Sequence, residues 1–309
     1  VITRVLGFIF RIYLSRVLGT EELGIYQVSL SVFMVLLTIV ASGLPLVISK
    51  LSAKYFAKKD SEKEGKLVSA SLIIAAITSV ILIVLVLVFK KLFSFLFTDD
   101  RCYLILVAML PAVLFSGIYN VFRGAMWGRS NYFCYCITEL FEQIVRITIC
   151  VVLLSFGIGS LSPSIGAALS LSIACLLSMA LSVVLYFVYG GKLRKPGGVY
   201  KEVLKSSTPI TAVRFLSSLV QPIIALIIPA RLIAAGYTSS QALSVYGVAI
   251  GMTMPLLFIP ITIVGSLSTA LIPDLSAAVA SEDSSHIKNR ISSSLIITMF
   301  IAFLMVPLF

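Results

Sequence analysis

The sequence predicts an all-α polytopic membrane protein, and three observations carry that expectation. The residues AVILMFWYC make up 59% of the 309 positions and Asp, Glu, Lys and Arg only 12%. Mean hydropathy is +1.10. The apolar residues also fall in runs of about 20, the length that crosses a hydrocarbon core of about 30 Å. A water-soluble domain carries about 25% charged residues, so most of this surface faces lipid.

Nine spans are expected, at roughly 1–18, 25–49, 67–89, 102–122, 133–156, 163–189, 206–228, 242–266 and 291–309. Polar punctuation separates them, as at Gly19-Thr20-Glu21-Glu22, Thr98-Asp99-Asp100-Arg101, and Gly190-Gly191 through Pro196-Gly197-Gly198. The apolar stretch from Leu267 to Ala280 reads as an extension of the eighth span. Thr208 and Pro209 read as a cap and first turn for the seventh, with Pro222 kinking it in its interior. A start at Val1 and an end at Phe309, inside an apolar run, read as a fragment open at both ends.

Cations orient the spans, because cytoplasmic loops are enriched in Lys and Arg. With the N-terminus in the cytoplasm, inside loops hold Lys50, Lys54, Lys58, Lys59, Lys63, Lys66, Arg123, Arg129, Lys192, Arg194, Lys195, Lys201, Lys205, Lys288 and Arg290. Outside loops hold only Lys90, Lys91, Arg101 and Arg231. The net charge of +11 therefore reports cytoplasmic loops meeting anionic lipid heads rather than nucleic acid. A lobe of six spans over 1–190, a basic cytoplasmic linker at 191–205 and three spans over 206–309 follow. Even span numbers make the two parts a parallel repeat. Arg16–Tyr26 with Leu51-Ser52-Ala53, set against Arg231–Tyr246 with Leu275-Ser276-Ala277, either reflects that repeat or is coincidence.

Chemistry-bearing residues are few. Cys102, Cys134, Cys136, Cys150 and Cys175 lie in or beside apolar runs without metal-ligand spacing and read as small buried hydrophobes. One histidine, His286, in a polar loop, leaves no material for a metal site or a His-dependent triad. No catalytic residue, metal site or cofactor is assigned, and an enzyme is not expected.

What remains is charge inside the membrane, which costs about 2.5–3.5 kcal/mol per arginine at a helix centre. Seven residues bring Arg4 and Arg11 to one face of the first span, with Arg11 about 10 Å deeper. Arg11 calls for a wet cavity; Arg16 either snorkels outward or joins it. Glu139, Glu142 and Arg146 share a face of the fifth span. Glu142 and Arg146 stand at i,i+4, either as a self-screening ion pair or as cavity lining where carboxylates tune an arginine or carry protons. Arg214 lies two turns into the seventh span. Arginine's planar fork suits phosphate or pyrophosphate, so this interior fits an anionic cargo.

Thr3-Arg4-Val5-Leu6-Gly7-Phe8, Arg11 and Arg16-Val17-Leu18-Gly19 resemble the first helix of peptidoglycan-precursor flippases. Leu18 to Gln27 (LGTEELGIYQ) resembles a signature of polysaccharide exporters. Ser42-Gly43-Leu44-Pro45, Ser49-Lys50-Leu51, Phe122-Arg123-Gly124, Glu139 to Arg146 (ELFEQIVR) and Ala270 to Ser276 are similar to stage V sporulation protein B. The chain thus resembles the polysaccharide biosynthesis and export family of the multidrug/oligosaccharidyl-lipid/polysaccharide (MOP) flippase superfamily.

The resemblance implies the MATE/lipid-flippase fold, two six-helix lobes around a cavity opening alternately to each side, here with about nine helices. It implies a monomer in the bacterial cytoplasmic membrane moving an undecaprenyl-pyrophosphate-linked glycan, with membrane lipids as its other partner. Cell-wall, capsule and sporulation roles all fit. Arg4 and Arg16 match family arginines directly; Arg11 is one residue displaced, at the position after Phe10. Arg4, Arg11, Arg16, Arg214 and Arg146 are the expected substrate-binding residues, and Glu139 and Glu142 the coupling or ion-pair candidates. A cation antiporter of the same fold, or a non-transporting envelope or spore assembly factor, are the alternatives.

Overall fold

The structure, a computed structural model, describes residues 2–58, 60–129, 131–155, 162–258, 264 and 284–305. Among them the regular elements are helices: α1 (Ile2–Ala41), α2 (Leu44–Ala57), α3 (Ser61–Val88), α4 (Lys90–Leu96), α5 (Asp100–Gly128), α6 (Tyr132–Ser155), α7 (Pro163–Val188), α8 (Tyr200–Ser218), α9 (Val220–Ala234), α10 (Ser239–Tyr246), a π-helical stretch (Gly247–Thr253), α11 (Met254–Leu257) and α12 (Ser284–Met305). This is an all-α, multi-pass membrane architecture, with long apolar helices at five places including 5–56 and 200–234.

The first two expected spans share α1, which folds back on itself so that Phe10 and Tyr26 both lie against Arg146 of α6. Its turn is a single residue, Gly19, at φ 74° and ψ 176° inside α1. A left-handed φ is what glycine supplies without a Cβ clash, so Thr20 to Glu22 stay helical instead of forming a loop. A second, milder break at Ser42-Gly43 separates α1 from α2.

Side-chain bonds fix an up-and-down order. At one end Arg101, starting α5, reaches Glu21 (2.5 Å), Glu22 (3.3 Å) and Asp99 (2.8 Å). Ser164 of α7 donates to Glu22, and Ser240 of α10 donates to Glu21 at 2.6 Å. At the other end Arg129, capping α5, grips Glu64 of α3 through Nε (2.6 Å) and Nη2 (3.0 Å), and its Nη1 donates to the Tyr189 carbonyl. Ser52 of α2 donates to the same carboxylate at 2.7 Å, and Tyr55 donates to Glu202 of α8 at 3.0 Å. Consecutive spans therefore run antiparallel between an Arg101 end and an Arg129 end.

The core gathers on α5, whose Ile105, Leu106, Met109, Ala112 and Val113 are fully buried. Helix α7 packs closely against it, with small buried residues (Ala167, Ala168, Ala174, Cys175) along its length, the close helix approach that small side chains permit in lipid. Four cysteines are buried as expected; Cys136 is exposed.

Three expectations need correction. Arg123 is no loop cation: it sits inside α5, only 7% exposed. The seventh span does not start at Thr208-Pro209. Its helix begins at Tyr200, Pro209 lies in the interior, and Thr208 Oγ1 donates back to the Leu204 carbonyl at 2.7 Å. His286 lies in helix, not loop, because α12 begins at Ser284. The reason is shared, since hydropathy marks where lipid begins and a helix can extend well beyond it. Pro222 acts as expected: lacking an N–H, it cannot bond the Ser218 carbonyl, and the rod breaks at Leu219. The 267–280 extension and the Ala270–Ser276 motif lie outside the described residues, as does Leu275-Ser276-Ala277 of the repeat.

Candidate functional site

Helix α6 sorts its residues sharply. Phe133, Ile137, Ile144 and Val152 are exposed and apolar and mark the lipid side. At about 100° per residue, Tyr135, Glu139, Glu142 and Arg146 lie on the opposite side, facing α1 and α5. Even there Glu139 keeps 45% of its side chain exposed. A half-exposed carboxylate turned away from lipid marks a cleft open to water.

Three polar contacts line that cleft. Arg123 of α5 meets Glu139 at 3.4 Å and lies over the rings of Tyr135 (4.3 Å) and Tyr119 (5.4 Å). The Tyr119 hydroxyl donates to Glu142 at 2.7 Å. Arg146 donates through Nη2 to the Tyr26 hydroxyl at 3.0 Å and lies over the Phe10 ring at 5.2 Å. The Nε–H groups of Arg123 and Arg146 are buried with no hydrogen-bond partner, although a donor in such a place normally finds one.

Arg11 of α1 is exposed and within electrostatic reach of both Arg146 and Tyr26. Two guanidiniums share one neighbourhood, one of them with an unused buried donor. Like charges so placed repel unless an anion sits between them, and two planar forks are suited to a phosphate or pyrophosphate.

The structure thus joins Arg11 and Arg146, from helices far apart in sequence. It separates others. Glu142 and Arg146 do not form the i,i+4 ion pair that their spacing suggests, because Tyr119 engages the carboxylate and Tyr26 the guanidinium. Glu139 pairs with Arg123 instead. Arg16 and Arg214 are exposed and form no hydrogen bond to this cluster. Arg4 lies on the first turn of α1, and its side chain is outside the described residues. The sequence reading overlooked Arg123, Tyr119 and Tyr26; the tyrosine one turn before Arg123 was the available signal. Among the described residues no group of three His, Cys, Asp or Glu side chains is arranged to hold a metal.

Comparison with known proteins supplies the context. The family described as polysaccharide biosynthesis protein matches residues 1–279. Stage V sporulation protein B of Bacillus subtilis is 31% identical over 95% of this chain and 59% of its own length. Lipid II flippase MurJ of the same organism is 24% identical over 47% of this chain and 28% of its own. The chain spans about three-fifths of the length of the first of these relatives. Among solved structures, an inward-facing multidrug resistance MATE family transporter of the MOP superfamily superposes with a TM-score of 0.72. That match has 18% identity and covers 99% of this chain and 69% of the other. An outward-facing one scores 0.63 at 19% identity, covering 98% and 68%. These structures establish the fold.

Proposed function

Because this chain belongs to the polysaccharide biosynthesis protein family, we propose that it is the larger part of a flippase for an undecaprenyl-pyrophosphate-linked glycan, a lipid II-like or polysaccharide precursor. The observation that carries the reading is the Arg11–Arg146 pair, two guanidiniums in a water-open cleft with one buried donor unused. The pyrophosphate bridges them, Arg4, Arg16 and Arg214 line the path to them, and the lipid tail stays in the bilayer. The protein works as a monomer in the bacterial cytoplasmic membrane. Its N-terminus is cytoplasmic, which makes the Arg129 end cytoplasmic and the Arg101 end external. Residues 1–190 form the first lobe, 191–205 a basic cytoplasmic linker and 206–309 the first part of the second lobe. Alternating access then means parting the lobes first at one end and then at the other.

A second reading, a cation antiporter, is favoured by the half-exposed Glu139 and by Glu142, carboxylates that can trade protons for a cationic drug. Binding to the complete protein in nanodiscs separates the two. The flippase reading expects tight binding of an undecaprenyl-pyrophosphate glycolipid, weakened at least tenfold, about 1.4 kcal/mol, by Arg11→Ala. No glycolipid binding alongside saturable binding of a cationic dye overturns it in favour of the antiporter.

A further inference from the structure

Toward the Arg129 end from the arginine pair, the neighbouring sides of α5 and α6 change character from cationic to aromatic. Trp127, one turn beyond Arg123 on α5, packs against Tyr135 of α6 with ring centroids 5.5 Å apart, tilted by 45°. Tyr135 therefore stands between the Arg123 guanidinium and the indole, and the open ring surface belongs to Trp127, 38% exposed. On the other side of Tyr135, and one turn along α6 from it, Glu139 spends Oε2 on Arg123, while Oε1 has no protein partner among the described residues. Arg123 is itself pinned by two rings and only 7% exposed, so the carboxylate is held by a rigid support with one oxygen to offer.

An aromatic face with a fixed carboxylate within a sugar's reach is what a glycan subsite requires. One side of a pyranose is a sheet of C–H groups that lies on an aromatic face, and its rim of hydroxyls donates to carboxylate oxygens, bonds strengthened by the acceptor's charge. The placement also fits. From Arg146 back to Tyr135 is eleven residues of one helix, about 16 Å along its axis, a length that a short oligosaccharide covers.

We propose that Trp127 and Glu139 form the glycan subsite of this cleft: a sugar of the glycan lies on the indole and donates a hydroxyl hydrogen to Glu139 Oε1, while Arg123 holds that carboxylate in place. The inference rests on the flippase reading for its cargo, but it can fail separately.

Trp127 is the only tryptophan in the 309 residues, so its fluorescence reports the subsite directly, with any tryptophan elsewhere in the complete protein replaced by phenylalanine. The complete protein in nanodiscs is titrated with undecaprenyl pyrophosphate and, separately, with the same lipid carrying a disaccharide. The expected result is that both lipids bind, that only the glycosylated one shifts the emission, and that it binds at least tenfold tighter. Glu139→Gln should erase most of that tenfold gain, bringing the affinities of the two lipids to within a few-fold of each other. Equal affinities with no sugar-dependent shift overturn the subsite and spare the flippase reading. Failure of both lipids to bind overturns the flippase reading and the subsite with it. Equal quenching of Trp127 by brominated lipid with and without cargo, in protein shown to bind the glycolipid, assigns the indole to the membrane interface and overturns the subsite.

Discussion

Gly24 of α1 and Gly247 at the head of the π-helical stretch meet backbone to backbone. A Cβ on Gly247 would stand 2.8 Å from the Gly24 nitrogen and 3.0 Å from its Cα, and a Cβ on Gly24 would overlap the Leu243 carbonyl. With Gly251 against Leu23, this seam joins the two sets of helices at the Arg101 end. Even Gly24→Ala is therefore expected to force the seam open, at the roughly 1–3 kcal/mol typical of overpacking. Spin labels on the first turns of α5 and α10 measure it: the Arg101-end distance should lengthen in the variant. An unchanged distance distribution would show that the seam does not hold this end closed.

Among the described residues, Arg129 and Glu64 are the most deeply buried ion pair, with side chains 11% and 2% exposed. Removing one partner of such a pair strands the other and costs about 3–5 kcal/mol. Arg129→Ala should lower the unfolding temperature in detergent sharply, because it also strips the Tyr189 carbonyl and the Tyr186 ring of their cation. Glu62→Gln, which breaks only the exposed Lys66 pair, should barely change it. Equal effects in the two variants would contradict the assignment of Arg129 as the clamp of its end.

Arg146 should not tolerate lysine. Its Nη2 is committed to Tyr26 and its free Nε points elsewhere, a two-direction arrangement that a single ammonium cannot reproduce. Arg146→Lys is expected to weaken inorganic pyrophosphate binding about tenfold by calorimetry, a loss near 1.4 kcal/mol. Tyr26→Phe should cost stability by about 1 kcal/mol and leave that binding within a few-fold. Undiminished pyrophosphate affinity in the lysine variant would remove Arg146 from the anion site.

The tie made by Asp99 should survive mild acid. Partial burial works to raise its carboxyl, but bonds from the Arg101 side chain and backbone N–H prevail and hold it below the ordinary carboxylate range. A lowered folded-state value means that its contribution is complete at neutral pH and disappears only as pH falls through that value, below about 4. The difference in unfolding temperature between the native protein and Asp99→Asn should be constant from pH 7 to 5 and narrow below 4. A difference already closing at pH 6 would contradict this.

The spans and the charged face of α6 were legible in the sequence because both rest on local periodicity. Apolar run length located the helices, and the 139/142/146 spacing put three charges on one side. Partner choice was not legible. Glu142 and Arg146 have ideal spacing for each other, yet each takes a tyrosine from another helix, a tertiary preference that no local rule contains. Arg123 was misplaced for a related reason: beside Gly124, Gly128 and Arg129 it looks like part of a polar turn. Its burial follows from two tyrosine rings and a carboxylate on the neighbouring helix. The early start of α8 escaped because its first turns are polar and lie beyond any hydropathy signal.

The stretch Gly247–Thr253 carries one further consequence. Its wide turns are held by five-residue steps: Met254 N–H bonds the Ala249 carbonyl, and the Thr253 hydroxyl reaches the Val248 carbonyl at 3.1 Å. Such windings are rare, and favour functional positions. Rewinding one of them to α pitch would turn α11, which follows Thr253 directly, by roughly one residue's angular step, about 100°. The segment therefore behaves as a screw thread with an extra residue wound in. While Gly247 and Gly251 stay pressed on α1, the thread cannot advance; once that seam parts, the following helix can present a different side.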